Sequence, residues 1–326
     1  MSAPAKTAPR GGIDLGGTKI QTVIVNSRNQ VLGEARRPTP TEGGPGDVAA
    51  EMAAALREAA EQGGVELTKV TGVGIGSPGD ADEKTGVVSN AKNLPGWDGV
   101  FPLAETLSGE LDVPVKVGND VQVAVEGEFH LGAGKEHATV LGVWWGTGVG
   151  GGLVLDGRPW IGRGAAGEIG HMVVKEGGAQ CPCGRRGCME AYAGRAAMEA
   201  RARKEHKHGT KTKLFEIMEE RGRDRLTSGI WERALDHGDK LAEHLIKRAI
   251  IALGAGVGSA VNLIDPEAVI LGGGLGSRFG ERLGPEIQDE MRKHIFVDDR
   301  PPAFEVAELG DLGGAIGAAL LVKRKR

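Results

Sequence analysis

The chain has 326 residues, 40% of them hydrophobic and 55 of them glycine, with a formal net charge of −4. That length suits two domains at about 150 residues each, and the mild negative charge leaves no electrostatic footprint for nucleic acid or an anionic membrane. Aromatic residues are only 4%, so the glycines point to tight turns and close backbone approaches rather than an aromatic-rich sandwich.

The opening "MSAPAKTAPR" is polar and lacks the apolar core of a secretory signal. The longest apolar stretch, "AIIALGAGVGSAVNLI", is too short and too glycine-rich to span a bilayer. A soluble, cytoplasmic chain is expected, with no nucleic-acid or membrane partner and with the C-terminal Lys-Arg-Lys-Arg run as a solvated tail.

In chain order, "GIDL", "IQTVIV" and "QVLGEAR" read as three short strands. "GDVAAEMAAALREAAEQGG" follows as an amphipathic helix with Val48, Met52, Leu56 and Ala59 on one stripe and Gly63 at its end. "VTGVGIG" and "VPVKVGN" are buried strands. The pattern restarts at residue 139, where "TVLGVWWGTGVGGGLVLDGRP" is again strand, glycine turn, strand. Residues 199–240 are charged and read as a solvated helical insertion, "LAEHLIKRAIIALGAGVGSAVNLI" as a long buried helix, and "EAVILGGGL" as a strand entering a glycine turn. Two halves with the same opening imply a duplicated α/β unit, with ligands at the strand ends.

Three glycine clusters sit at such ends. Around Asp14, the turn Gly16-Gly17-Thr18-Lys19 offers backbone N–H groups to an anion, a hydroxyl and a charge, and Asp14 is placed to hold a metal-bound water. The second turn, Gly146-Thr147-Gly148, belongs to a G-x-G-x-x-G string, but a strand follows it, so the dinucleotide reading fails; no P-loop is present either. The third, Gly272-Gly273-Gly274, is placed to approach an adenosine. Together they fit one nucleotide gripped by both halves.

Asn119 and Asp120 stand where a strand becomes a helix. Asp120 is open to two roles that can coexist, helix N-cap and general base toward an acceptor hydroxyl. Asn93, Glu168, His171 and Glu190 supply amide, carboxylate and imidazole groups suited to reading a polyol.

The three cysteines, Cys181, Cys183 and Cys188, fall within eight positions. Their odd number argues against a disulfide framework in a reducing compartment. With His171 they form a Cys₃His set suited to tetrahedral zinc, and four protein ligands close the shell, so the metal is expected to be structural. Redox sensing by the Cys-x-Cys pair is the alternative chemistry.

The strings "DLGGTK", "NLPGW", "GND", "GTGVGGG", "AGEIGH" and "CPCGRRGCMEAYAG" resemble those of the ROK family of sugar kinases and repressors, from residue 12 onward. Within the family the chain is most similar to the bacterial glucokinases. The resemblance implies an actin-like (ribonuclease H-like) ATPase fold of two duplicated α/β domains around a central cleft. One domain is expected over residues 1–121 plus 312–326 and a larger, zinc-bearing one over 122–311. It further implies ATP with Mg²⁺, a structural Zn²⁺, glucose as acceptor, and a homodimer or homotetramer. On this resemblance Asp120 is the catalytic base, and Asn93, Asn119, Asp120, Glu168, His171 and Glu190 contact the sugar. Asp14, Gly16 to Lys19 and Gly146 to Gly148 hold phosphates, and His171 serves both zinc and sugar. Alternatives are another hexose (N-acetylglucosamine, N-acetylmannosamine, mannose or fructose), polyphosphate as donor, or a sugar-responsive repressor. The repressor is disfavoured because only 13 residues precede Asp14, too few for a helix-turn-helix. Trp144 and Trp145 lie outside all these strings and have no role on sequence grounds.

Overall fold

A computed structural model describes residues 8–323. The first seven residues and the last three, which include most of the expected basic tail, lie outside the described residues. In chain order the elements are β1 (Arg10–Leu15), β2 (Lys19–Val25), β3 (Val31–Pro38), α1 (Pro45–Gln62), β4 (Val73–Ser77), β5 (Asp80–Asp82), β6 (Val87–Ser89) and β7 (Val100–Phe101). Next come α2 (Leu103–Leu111), β8 (Val115–Asn119), α3 (Asp120–Leu131), β9 (Val140–Trp145), β10 (Val149–Leu155) and β11 (Arg158–Pro159). The helices α4 (Glu190–Ala193), α5 (Arg195–Lys207), α6 (Leu214–Glu220), α7 (Ser228–Asp236) and α8 (Lys240–Ile264) follow. The chain closes with β12 (Ala268–Gly272), α9 (Gly273–Arg292), β13 (Ala303–Val306) and α10 (Gly313–Leu320).

Two compact units result. The first holds the chain up to Lys135, Pro159–Ala166 and the chain from Glu308 on; the second holds Glu136–Arg158 and Gly167–Ala307. Their five-stranded sheets have matching orders, β3-β2-β1-β4-β8 and β11-β10-β9-β12-β13. In each, an antiparallel hairpin (β1 with β2, β9 with β10) is followed by parallel strands (β4 and β8, β12 and β13). The duplication expected from the two strand–glycine–strand openings is therefore present. Among the described residues, the small sheet β5-β6-β7 in the first unit has no such counterpart.

The expected boundaries at 121 and 312 move to 135 and 308 for a packing reason. Helix α3 lies against α10 so closely that a Cβ on Gly317 would run into the Val123 carbonyl, and one on Gly127 would come within 3.0 Å of the Gly313 carbonyl. The buried Glu128 carboxylate also accepts from the backbone N–H groups of Glu308 and Leu309 at 3.0 and 2.9 Å. These contacts bind α3 to the returning C-terminal segment rather than to the second sheet.

The first core forms where α1 covers the sheet with Val48, Met52, Leu56 and Ala59, all fully buried, the three larger side chains contributing about 1.5–3 kcal/mol each. The helix ends before Gly63 as expected, but the left-handed residue is Gly64, at φ +62°. In the second unit α8 has the length and apolarity of a membrane span, yet 67% of its apolar window is buried, as in a core helix. The charged stretch before it is helical but not simply solvated: Leu214, Ile217, Ile230 and Trp231 are buried and give α6 and α7 an inner face.

Candidate active site

In the first unit, Asp14 is the penultimate residue of β1 and the Gly16–Lys19 turn is closed by Gly16 N–H donating to the Lys19 carbonyl at 3.0 Å. Thr39 clamps the turn from outside, its hydroxyl donating to the Gly16 carbonyl at 2.6 Å and its N–H to the Thr18 carbonyl at 3.3 Å. Gly17 and Thr18 are left exposed. A Cβ on Gly17 would sit 3.1 Å from the Asn93 side-chain nitrogen, so the turn and the Asn93 loop meet. That loop is anchored by the buried Leu94 and Trp97 and turns at Gly96, φ +61°.

Beside them, Asn119 is the N-cap of α3, its amide oxygen accepting from Val121 and Gln122 N–H at 3.0 Å each. The capping role considered for Asp120 therefore belongs to its neighbour, and Asp120 is the first residue of the helix. The cap uses only the Asn119 oxygen. Desolvation, and then the nearby Asp120 carboxylate, push the Asp14 carboxyl up to about 7, while Lys19 acts in the opposite direction. The start of α10 also approaches: a Cβ on Gly314 would lie 2.8 Å from an Asp14 oxygen. Lys19 is 3.4 Å from Asp311, which is also 3.9 Å from Arg36. The structure thus gathers Asp14, the glycine turn, Asn93, Asn119 and Asp120 at one end of the first sheet.

In the second unit the β9–β10 turn closes by Gly146 N–H donating to the Gly148 carbonyl at 3.0 Å. Helix α5 holds it from one side: Arg195 N–H donates to the Gly146 carbonyl and Ala196 N–H to the Thr147 carbonyl, at 3.1 and 3.0 Å. The Arg195 guanidinium donates to the Thr147 hydroxyl at 2.9 Å and to the Leu226 carbonyl at 3.0 Å. Glu190 holds the turn from the other side, accepting from Val149 N–H at 3.0 Å. The third cluster differs from expectation in form, since its glycines open helix α9 rather than a free turn. Gly273 has φ +80°, and a Cβ on Gly146 would be 3.8 Å from Gly274 N, so the two clusters adjoin. A helix N-terminus there presents N–H groups suited to an anion. The tryptophan pair now has a place: Trp145 is fully buried and donates to the Ala193 carbonyl at 2.7 Å, while the Trp144 ring packs over Gly272, where a Cβ would meet it at 2.8 Å.

The ligand atoms of His171, Cys181, Cys183 and Cys188 all lie within 4.8 Å of one another. Cys181 Sγ is 3.8 Å from His171 Nδ1, and Cys183 Sγ is 3.7 Å from Cys188 Sγ. A tetrahedron with metal–sulfur bonds of about 2.3 Å has sulfur–sulfur edges of about 3.8 Å, so the cluster fits zinc. Gly184 and Gly187 sit at φ +89° and +86°, and a Cβ on Gly187 would strike the Lys175 carbonyl, which is why the loop needs them. His171 Nε2 faces Glu168 at 3.8 Å, so one ring nitrogen points to the cysteines and the other to a sugar-reading candidate. Glu190 lies 3.8 Å from Cys181 Sγ by its second oxygen. Sequence reasoning missed Thr39, Arg195 and Gly314; Arg195 alone had a signal, as a cation directly after the cysteine motif.

Glycine hairpins at the ends of two sheets of matching order suit a phosphotransferase that holds its donor's phosphates on backbone N–H groups. The family comparison agrees, and the chain belongs to the ROK family, whose model matches residues 10–325. It is 33% identical to a glucokinase of Thermotoga maritima, covering 96% of this chain and 97% of that one. It is 32% identical to an N-acetyl-D-glucosamine kinase of Salmonella paratyphi A, covering 95% and 98%. Among solved structures, a ROK family glucokinase from Streptomyces griseus in complex with glucose and AMPPNP matches with a TM-score of 0.83 at 31% identity, covering 97% of this chain and 100% of that one.

Proposed function

We propose that this ROK chain is an ATP-dependent glucokinase, transferring the γ-phosphoryl group of ATP to the 6-hydroxyl of glucose to give glucose 6-phosphate and ADP. The observation that carries the catalytic assignment is the Asn119 cap. It assigns the cap to Asn119 and places the Asp120 carboxylate, one oxygen of which accepts from Val121 N–H at 2.9 Å, close enough to Asp14 to raise its pKa. Asp120 takes the proton from the 6-hydroxyl as its oxygen attacks the γ-phosphorus and the bond to the β-phosphate oxygen breaks.

Asn93 and Asn119 in the first unit, and Glu168, His171 and Glu190 in the second, are the residues we assign to sugar recognition, on the family resemblance. The Gly16–Lys19 turn, the Gly146–Gly148 turn and the start of α9 at Gly272–Gly274 receive the nucleotide through backbone N–H groups. Mg²⁺, when bound, neutralises charge on the phosphates. Asp14 suits a water on that ion, because a nearby cation offsets the burial and the Asp120 repulsion that raise its pKa. His171, Cys181, Cys183 and Cys188 hold a structural Zn²⁺ whose closed shell leaves no position for substrate. The actin-like fold, a cytoplasmic location and a homodimer or homotetramer complete the reading, supported by the family resemblance.

A second reading, N-acetylglucosamine as acceptor, is favoured by the 32% identity to that kinase. A coupled ADP-release assay with glucose, N-acetylglucosamine, N-acetylmannosamine, mannose and fructose, each with ATP, decides between them. An otherwise identical glucose 6-phosphate assay with polyphosphate tests the donor. Glucose with ATP should give the highest kcat/KM; a higher value for an N-acetylated sugar, or for polyphosphate, overturns the assignment.

A further inference from the structure

The second unit contains a hollow that the phosphoryl-transfer reading does not use. It encloses about 520 Å³ between the cysteine loop, α4, α5 and α8, within the range of small-molecule sites. Tyr192 and Leu245 contribute apolar surface, and Ala196, Ala197 and Ala200 line the α5 side, where larger side chains would fill the space. Arg201, Lys204 and Arg248 also line it, and no carboxylate does.

The cations differ from an ordinary solvated face. The Arg248 guanidinium carbon lies 5.4 Å from the Tyr192 ring centroid. Stacking of that kind fixes the guanidinium plane and leaves its N–H donors unspent. Tyr192 is itself anchored, its hydroxyl accepting from Ala179 N–H at 2.8 Å. On α5, Arg201 is paired with Glu205 and Arg203 with Glu199. Among the described residues, neither Lys204 nor Arg248 has a carboxylate partner. Two of the three cations that line the hollow are thus without a carboxylate partner. Arg201 and Lys204, three residues apart, share one helix face.

We propose that this hollow binds a small organic phosphate. The phosphoryl group sits between Arg248 and Lys204 with Arg201 at the rim, and the organic part lies against Tyr192 and Leu245. A phosphate monoester, with a charge of about −2 at neutral pH, matches two unpaired cations, and the guanidinium fork suits its oxygens. Sugar phosphates and nucleotides both carry this group.

The test is calorimetric titration of the full-length protein with glucose 6-phosphate, with ADP and with inorganic pyrophosphate, comparing wild type with Lys204→Ala/Arg248→Ala. The phosphate loops bind in both proteins, so the heat missing from the variant reports the hollow alone, independently of turnover. At least one probe should show a binding event weakened tenfold or more in the variant; loss for glucose 6-phosphate identifies a sugar phosphate, and loss for ADP a nucleotide. Loss for pyrophosphate alone also supports a phosphate site. Superimposable isotherms for all three probes overturn the proposal. Lys204→Glu, a change at an exposed position, gives the same reading if the double variant fails to fold.

Discussion

The β1–β2 and β9–β10 hairpins occupy the same place in two sheets of matching strand order, yet they are equipped differently. The first carries its charges on its own strands and turn, with Asp14 and Lys19 flanking the glycines. The second has no charged residue from Val140 to Leu155 and is held by side chains from elsewhere, Arg195 from α5 and Glu190 from α4. Duplication has kept the backbone cradle in both halves and put ionisable chemistry directly into only one. The second hairpin depends on its neighbours, and the cysteine loop stiffens one of them.

Metal removal should break that comparison most severely. Cys183→Ala is expected to drop zinc content from about one per chain, to lower the melting temperature and to raise the glucose KM. Structural zinc contributes about 10–16 kcal/mol in small peptide sites, so the stability loss should reach several kcal/mol. Metal analysis with calorimetry checks it, and an unchanged glucose KM would separate the cluster from the sugar site.

Arg195→Met tests the borrowed support of the second hairpin. Losing a charged donor to Thr147 should cost about 1.5 kcal/mol, raising the ATP KM roughly tenfold while the glucose KM stays the same. Equal rises in both KM values would mean that Arg195 acts on the fold as a whole.

The smallest effect is a slope with pH in the first hairpin. With its native pKa raised to about 7, Asp14 holds a proton that the unfolded chain has released. Stability in the absence of Mg²⁺ should therefore be highest below the unfolded value near pH 4, fall as pH rises toward 7, and level off above it. Asp14→Asn should remove this component and be more stable than wild type at pH 8, as read from denaturant midpoints. A wild-type profile with no fall over that window contradicts the burial assigned to Asp14.

What was legible in the sequence follows from how local the constraint is. The glycine turns and the Cys₃His set were readable because each fixes residue types over a few positions, and the duplicated hairpins were readable because both repeats begin with the same pattern. The capping choice between Asn119 and Asp120 was not, since either side chain fits the statistics and only the hydrogen bonds decide. The domain boundary was missed because it depends on glycines of α3 meeting α10, nearly two hundred positions away in the chain. The buried face of α6 and α7 was hidden by charge: Leu214 and Trp231 are outnumbered in sequence by solvated neighbours. Trp144 and Trp145 became intelligible only once Gly272 and Ala193 were seen against them.

The central claim is that Asp120, the first residue of α3 after the Asn119 cap, is the base that takes the sugar proton. Measuring kcat together with glucose affinity for Asp120→Asn tests it most directly. The expected result is a fall in kcat of about 10²–10⁴-fold, the usual worth of a general base, with glucose dissociation changed only a few-fold. A variant that keeps wild-type kcat contradicts the account.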